Sequence, residues 1–194
     1  MANEIIWVKG RLSFADTVFE KKGIASDPSS KPRYNCAVLL PPSDPQVEKI
    51  REIEKKLVLE HDWKKHDDAG KLYETLKKKD KLALHDGDDK SNWAGFEGNL
   101  YLSPSADTRP TVVDRDRTQI DKDDGRIYSG CYVNVKVEIW TQDNNYGERV
   151  NATLLGVQFV KDGDAFGAGS PPANPDDFPD LDAEGGDEDD SLFG

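Results

Sequence analysis

The most constraining feature of this chain is a strict two-residue alternation over residues 128–140. Cys131, Val133, Val135, Val137 and Ile139 are all apolar, while Tyr132, Asn134, Lys136, Glu138 and Trp140 between them are polar or aromatic. Successive side chains of a strand point to opposite faces, so this segment must be a β-strand with one face in a core and the other presented outward. A helix would scatter the same residues around its circumference. Residues 5–14 repeat the pattern, with Ile6, Val8, Gly10, Leu12 and Phe14 opposite Ile5, Trp7, Lys9, Arg11 and Ser13.

Further strands are expected at 34–40, 93–103, 111–113 and 149–160. The last forms a hairpin with 128–140 through a turn at 143–147. Between them lies a helical stretch. Ser43 or Asp44 can cap a helix with Pro45 in its first position, and Val47, Ile50, Ile53 and Leu57 recur at helical spacing as far as about residue 65. A second short helix is expected over 69–79, with Leu72 and Leu76 inward, followed by a basic run at Lys77–Lys79 and Lys81. Five or six strands interrupted by one helical insertion, at about 43–80, fit a mainly β fold, an OB-like five-stranded barrel.

Charge divides the chain in two. Residues 171–194 hold nine carboxylates and no Lys or Arg, so of the net charge of −12 only −3 remains on residues 1–170. From residue 162 onward Gly, Pro, Ala and Asp dominate, and such a segment cannot bury enough apolar surface to fold alone. The expected organisation is therefore one domain over 1–161 and a disordered acidic tail over 162–194. An acidic chain of this kind does not exclude nucleic-acid binding, because the charge is segregated. Neither a signal-peptide pattern nor an apolar run of about 20 residues is seen, so a cytoplasmic protein without membrane contact is expected. Cys36 and Cys131 sit in apolar runs and read as small buried hydrophobes.

Signals for catalysis are poor. There is no phosphate-binding glycine loop, nucleophile elbow or zinc spacing, and His61 and His66 fall on different faces of a helix. Asp114, Asp116, Asp121, Asp123 and Asp124 invite comparison with a calcium loop or a metal-dependent nuclease centre. Counting from Asp121, however, Gly125 comes one position early and Tyr132 stands where the bidentate Glu belongs. The expectation is no enzyme, no metal and no cofactor, with the nuclease kept as the alternative from another class.

The positive signal is the coincidence of rings and cations. Trp7, Lys9 and Arg11 share one strand face, and Tyr132, Lys136 and Trp140 share another. Flat rings on which unpaired bases stack, beside cations that follow phosphates, are what single-stranded DNA requires. Tyr101, Tyr128 and the loop cations Arg109, Arg115 and Arg117 complete the candidate DNA-binding set. In the tail, Asp187, Glu188, Asp189 and Asp190 precede Leu192 and Phe193. An apolar end on a flexible acidic string is a docking peptide for a partner, and its carboxylates resemble a phosphate backbone that competes for a basic groove.

Several stretches also resemble a known family. Trp93–Phe96 with Gly98, RPTVVDRDRT at 109–118, IYSGCYV at 127–133, DGDAFG at 162–167 and the acidic Leu-Phe end are similar to phage-encoded single-stranded DNA-binding proteins, over nearly the whole chain. The resemblance implies an OB-fold that coats and protects single strands during phage DNA replication and recombination. In plan the chain is also similar to acidic-tailed proteins of phage replisomes, whose tails contact replication partners; it departs from that plan in ending at Gly194 rather than at the aromatic. A strand-annealing or recombination factor of the same fold is the near alternative. A DNA mimic working only through its acidic tail is a further one.

Overall fold

The computed structural model describes residues 3–24 and 27–167. Its centre is three long antiparallel strands: β1 (Asn3–Ser13), β8 (Tyr132–Asn144) and β9 (Gly147–Lys161). Shorter strands extend the sheet, namely β2 (Tyr34–Asn35), β3 (Ala37–Leu40), β4 (Leu84–Asp86), β5 (Leu100–Leu102), β6 (Ser105–Ala106) and β7 (Thr111–Val113). The order is β2-β6-β9-β8-β1-β3-β5-β4, with β7 running parallel to β9. Val150 N donates to Lys81 O at 2.9 Å, tying the segment before β4 back to β9 and curling the sheet. The architecture is the expected mainly β one with a helical insertion, and its additional strands β2, β4 and β6 are two or three residues long.

Alternation places the core as the sequence requires. Val133, Val135, Val137 and Ile139 are fully buried, and they face Val8, Leu12, Leu154 and Phe159 in the same cluster. Cys36 and Cys131 are free thiols inside it, and burial pushes the Cys36 thiol up to about 12.

The insertion forms helix α2 (Pro45–Glu60) and helix α3 (Ala69–Lys78), preceded by the single-turn α1 (Asp16–Phe19). Asp44 is the cap of α2: its carboxylate accepts from Gln46 N at 2.9 Å, and Pro45 occupies the first turn. Val47, Ile50, Ile53 and Leu57 are buried, as their spacing demands. The helix stops at Glu60 rather than near residue 65, because the chain turns so that Trp63 Nε1 donates to Val58 O at 2.8 Å. Gln46 also closes an exposed strand edge. Its amide accepts from Lys9 N and donates to Lys9 O, at 2.9 and 2.8 Å, where β1 has passed beyond the reach of β3.

Two expectations are corrected. The alternation over 93–103 is a strand only at 100–102; residues 93–99 form turns with Gly95 and Gly98 at positive φ. Residues 162–167, assigned by composition to the tail, instead lie bound across the body. Tyr128 Oη receives a bond from Gly163 N at 3.0 Å, Phe166 N donates to Ser129 O at 2.9 Å, and Arg11 Nη2 donates to Asp164 O at 2.6 Å. This strap passes so close to Gly130 that a Cβ there would stand 2.1 Å from Asp164 O, and Gly130 sits at φ 110°.

Candidate nucleic-acid interface

The outward face of β1, β8 and β9 gathers most of the expected residues. Registry sets Trp7 opposite Lys136, Lys9 opposite Asn134 and Arg11 opposite Tyr132. On the other side of β8, Lys136 stands opposite Gly156, Asn134 opposite Gln158 and Tyr132 opposite Lys161. Two bulges distort β9 at this face, where Leu155 and Val160 have no partner in the β8 register. A bulge adds local twist and re-aims neighbouring side chains, and here one falls beside Lys136 and the other beside Tyr132.

The face carries two recesses. The first, about 470 Å³, is lined by Trp7, Lys136, Arg117, Gly156 and Gln158. Trp7 is 55% exposed, far more than a ring covering a second core would be, and Lys136 Nζ lies 5.7 Å from its centroid. Arg117 reaches this recess from the loop after β7, where its φ of 73° marks a tight turn. The second recess, about 320 Å³, is lined by Lys9, Arg11, Tyr132, Lys161 and Phe166. Lys161 Nζ stands 4.6 Å from the Tyr132 centroid, while the Arg11 guanidinium lies 4.4 Å from Phe166 and 5.7 Å from Tyr132. Each recess therefore pairs an aromatic surface with two or three cations.

Other expected residues are placed differently. Tyr101 is only 8% exposed and packs edge-on against Phe96 at 5.0 Å in a small second core, so it has no free ring face to stack a base. Tyr128 has its hydroxyl held by Asp162 and Gly163, where it anchors the strap. Arg109 pairs with Asp121 at 2.6 Å. Arg115 is exposed on the β7 loop and does not line the Trp7 recess. Trp140 lies on the same strand face but four residues from Lys136, about 13 Å along β8, with its Nε1 donating to Thr153 Oγ1 at 2.9 Å. The tail residues Asp187, Glu188, Asp189, Asp190, Leu192 and Phe193 lie outside the described residues.

Sequence reasoning missed Lys161 and Phe166 as parts of the face. Lys161 ends the long strand at the register position facing Tyr132, a relation visible only once the bulges are counted. Phe166 was legible only as one letter of a glycine- and aspartate-rich run.

The aspartate cluster serves the loop itself. Asp114 pairs with Arg126 at 3.1 Å, Asp116 accepts from Thr118 N, and Asp124 accepts from Asp121 N. The bond from Thr118 holds the Asp116 carboxyl below its ordinary range. Among the described residues, no three His, Cys, Asp or Glu groups gather so as to hold a metal ion. No described helix is long and apolar enough to cross a membrane.

The chain as a whole has known relatives. The family model described as "Enterobacter phage Enc34, ssDNA-binding protein" matches residues 3–192. The chain belongs to this Enc34 family. A curated relative of this family member, protein p50 of Acyrthosiphon pisum secondary endosymbiont phage 1, is 40% identical over 174 residues, which is 88% of this chain and 90% of the relative. Among solved structures, the chain is similar to the single-stranded DNA-binding protein from bacteriophage Enc34 in complex with ssDNA. That likeness has a TM-score of 0.66 at 27% identity, over 84% of this chain and 89% of the other. A single-stranded DNA-binding protein encoded by bacteriophage T7 shares the fold with a TM-score of 0.50 at 16% identity, over 87% and 92% of the two chains.

Proposed function

We propose that this protein binds single-stranded DNA on the outward face of β1, β8 and β9, and acts by coating the strand rather than by catalysis. The observation that carries this reading is the Trp7 ring, more than half exposed on a sheet face, with Lys136 directly opposite it in register. A base stacks on Trp7 while Lys136 and Arg117 meet the flanking phosphates. Tyr132, with Lys161 and Arg11 around it, provides the second station. Stacking tolerates any base, so little sequence preference follows, and a duplex, whose bases are already stacked, binds less well.

Trp7→Ala is expected to weaken oligothymidylate binding by roughly 1–3 kcal/mol. Lys136→Ala should lower the slope of log affinity against log salt by about 0.7, the single-strand value per phosphate contact. Fluorescence anisotropy on folded variants measures both. A Trp7→Ala protein that is folded and binds as tightly as the parent overturns the assignment.

The acidic tail adds a regulatory and recruiting part to this reading, in phage DNA replication and recombination within the host cytoplasm. Nine carboxylates on a Gly- and Pro-rich tether reach an effective concentration on the order of millimolar at a nearby basic face. Even a weak contact of the tail with that face then competes with DNA. Truncation after Ser170 should tighten DNA binding at low salt, with the gain shrinking as salt screens the competition. Superimposed binding curves for full-length and truncated protein at low salt would remove the competition, leaving partner docking through Leu192 and Phe193 to be tested by pull-down with Phe193→Ala.

A further inference from the structure

At the far end of β8 from Tyr132, where the segment before β4 meets β9, the curled sheet leaves a polar groove of about 410 Å³. Arg33, Lys81 and Arg149 line it, and Asp80 is its one carboxylate among the described residues. That carboxylate is engaged by His85, with Asp80 Oδ1 2.7 Å from Nδ1. Among the described residues, neither Lys81 nor Arg149 has a carboxylate within 4.0 Å. Arg33 Nε is buried with no hydrogen-bond partner, its nearest carboxylate being Asp107 at 3.9 Å. Lys81 and Arg149 are therefore cationic donors that no described carboxylate answers, whereas Arg33 is paired at long range with Asp107.

Trp140 forms part of the same wall, its ring fixed by the bond from Nε1 to Thr153. It belongs to the strand face that carries Lys136 and Tyr132. The seam thus repeats the combination found on the Trp7 face, an aromatic ring beside cations, about 13 Å further along one strand. Glu138 lies between the two stations, bonded to the Asn3 side chain. Its charge divides the path into two stations instead of one continuous stripe.

We propose that this seam groove is a second single-stranded DNA station, which takes the continuation of a strand already held on the Trp7 face. Arg149 and Lys81 contact its phosphates, and Trp140 supports a base. The inference rests on the reading of the Trp7 face given above.

A series of oligothymidylates of rising length, bound to the full-length protein and followed by fluorescence anisotropy, tests it. The parent should gain affinity in two steps as length increases. The double variant Lys81→Ala/Arg149→Ala should bind short oligonucleotides like the parent and lose the second step. For long oligonucleotides its salt slope should fall by about 1.4, two lost phosphate contacts at the single-strand value. Lys81→Arg/Arg149→Lys, which keeps both charges, should restore the slope. A double variant that matches the parent at every length, or is weakened equally at every length, overturns the second station. Trp7→Ala separates the two readings. If it weakens all lengths while the double variant changes none, the Trp7 face stands and the seam fails. If Trp7→Ala weakens none, the face fails and with it the seam as its continuation.

Discussion

Phe96→Ala is expected to destabilise the protein by about 3–5 kcal/mol, the range for truncating a fully enclosed aromatic ring. Phe96 is completely buried although it lies in a turn, not in a strand or helix. Ala37, Leu39 and Tyr101 enclose it, and the rings of Trp93 and Phe14 lie 5.2 and 6.0 Å from its own. The Cα positions around it are fixed by hydrogen bonds: Phe96 N donates to Trp93 O, Asn99 N to Phe96 O, and Gly87 N to Asn99 O. Such a cage cannot collapse onto a methyl group, so a cavity remains and the loss approaches the upper part of the range. Phe166 of the strap packs against the same cluster, close enough that a Cβ on Gly95 would come within 2.5 Å of its ring. The cavity should therefore also loosen the strap, seen as faster hydrogen exchange at Phe166 N than at the amides of β8. Chemical denaturation gives the first number. A loss below about 1 kcal/mol would show that the cluster repacks and is not the anchor of the turn.

That cluster also marks where sequence reading ends. The core face of β8 was legible because a single repeated decision, apolar at every second position, leaves one solution. The start of α2 was legible because Asp44 and Pro45 each have a local reason for their place. Tyr101 and Tyr132 look alike in sequence, each a tyrosine on the polar side of an alternating run. The structure separates them because β5 is covered on both sides, by the main core on one and by Phe96 on the other, while β8 is open on its outward side. Burial on two faces is a property of the packing and leaves no trace in a short run such as Leu100–Leu102.

The proposed DNA face was legible in its residue types and not in its pairing. Trp7 and Lys136 were each singled out, but that they stand directly opposite one another follows from a register set over nine pairs between β1 and β8. Arg117 joins them because β7 runs parallel to β9 and delivers its loop to the same recess. The strap was illegible for a different reason. Its composition is that of a tail, and its order comes from contacts with Arg11, Tyr128 and Ser129, residues more than 30 positions away. Folding of a polar segment onto a preformed surface needs no apolar periodicity of its own.

A second large effect concerns pH, and it arises from a residue on the buried stripe of α2. Glu54 lies one helical turn from Ile50 and from Val58, on the side that faces the core, and is 1% exposed. Its Oε1 accepts from Leu84 N at 2.7 Å, joining α2 to the start of β4. Burial raises its carboxyl from 4.5 to about 7, against the opposing pull of the Leu84 and Ala83 amides and of Arg51 and Lys77. The folded protein therefore binds this proton more tightly than the unfolded chain does. Stability from this group is fully present below about pH 4.5 and declines as pH rises towards 7, because ionisation is then free in the unfolded state and opposed in the folded one. The full difference is about 3 kcal/mol. Glu54→Gln keeps a carbonyl oxygen for Leu84 N and removes the titration. The variant should match the parent near pH 4, gain on it between about pH 4.5 and 7, and level off above that, with the melting temperatures diverging over the same window. Melting curves at half-unit pH steps measure this. A difference between variant and parent that is the same at pH 5 and pH 8 would mean that Glu54 stays ionised throughout, its charge held by the two amides and the nearby Arg51 and Lys77.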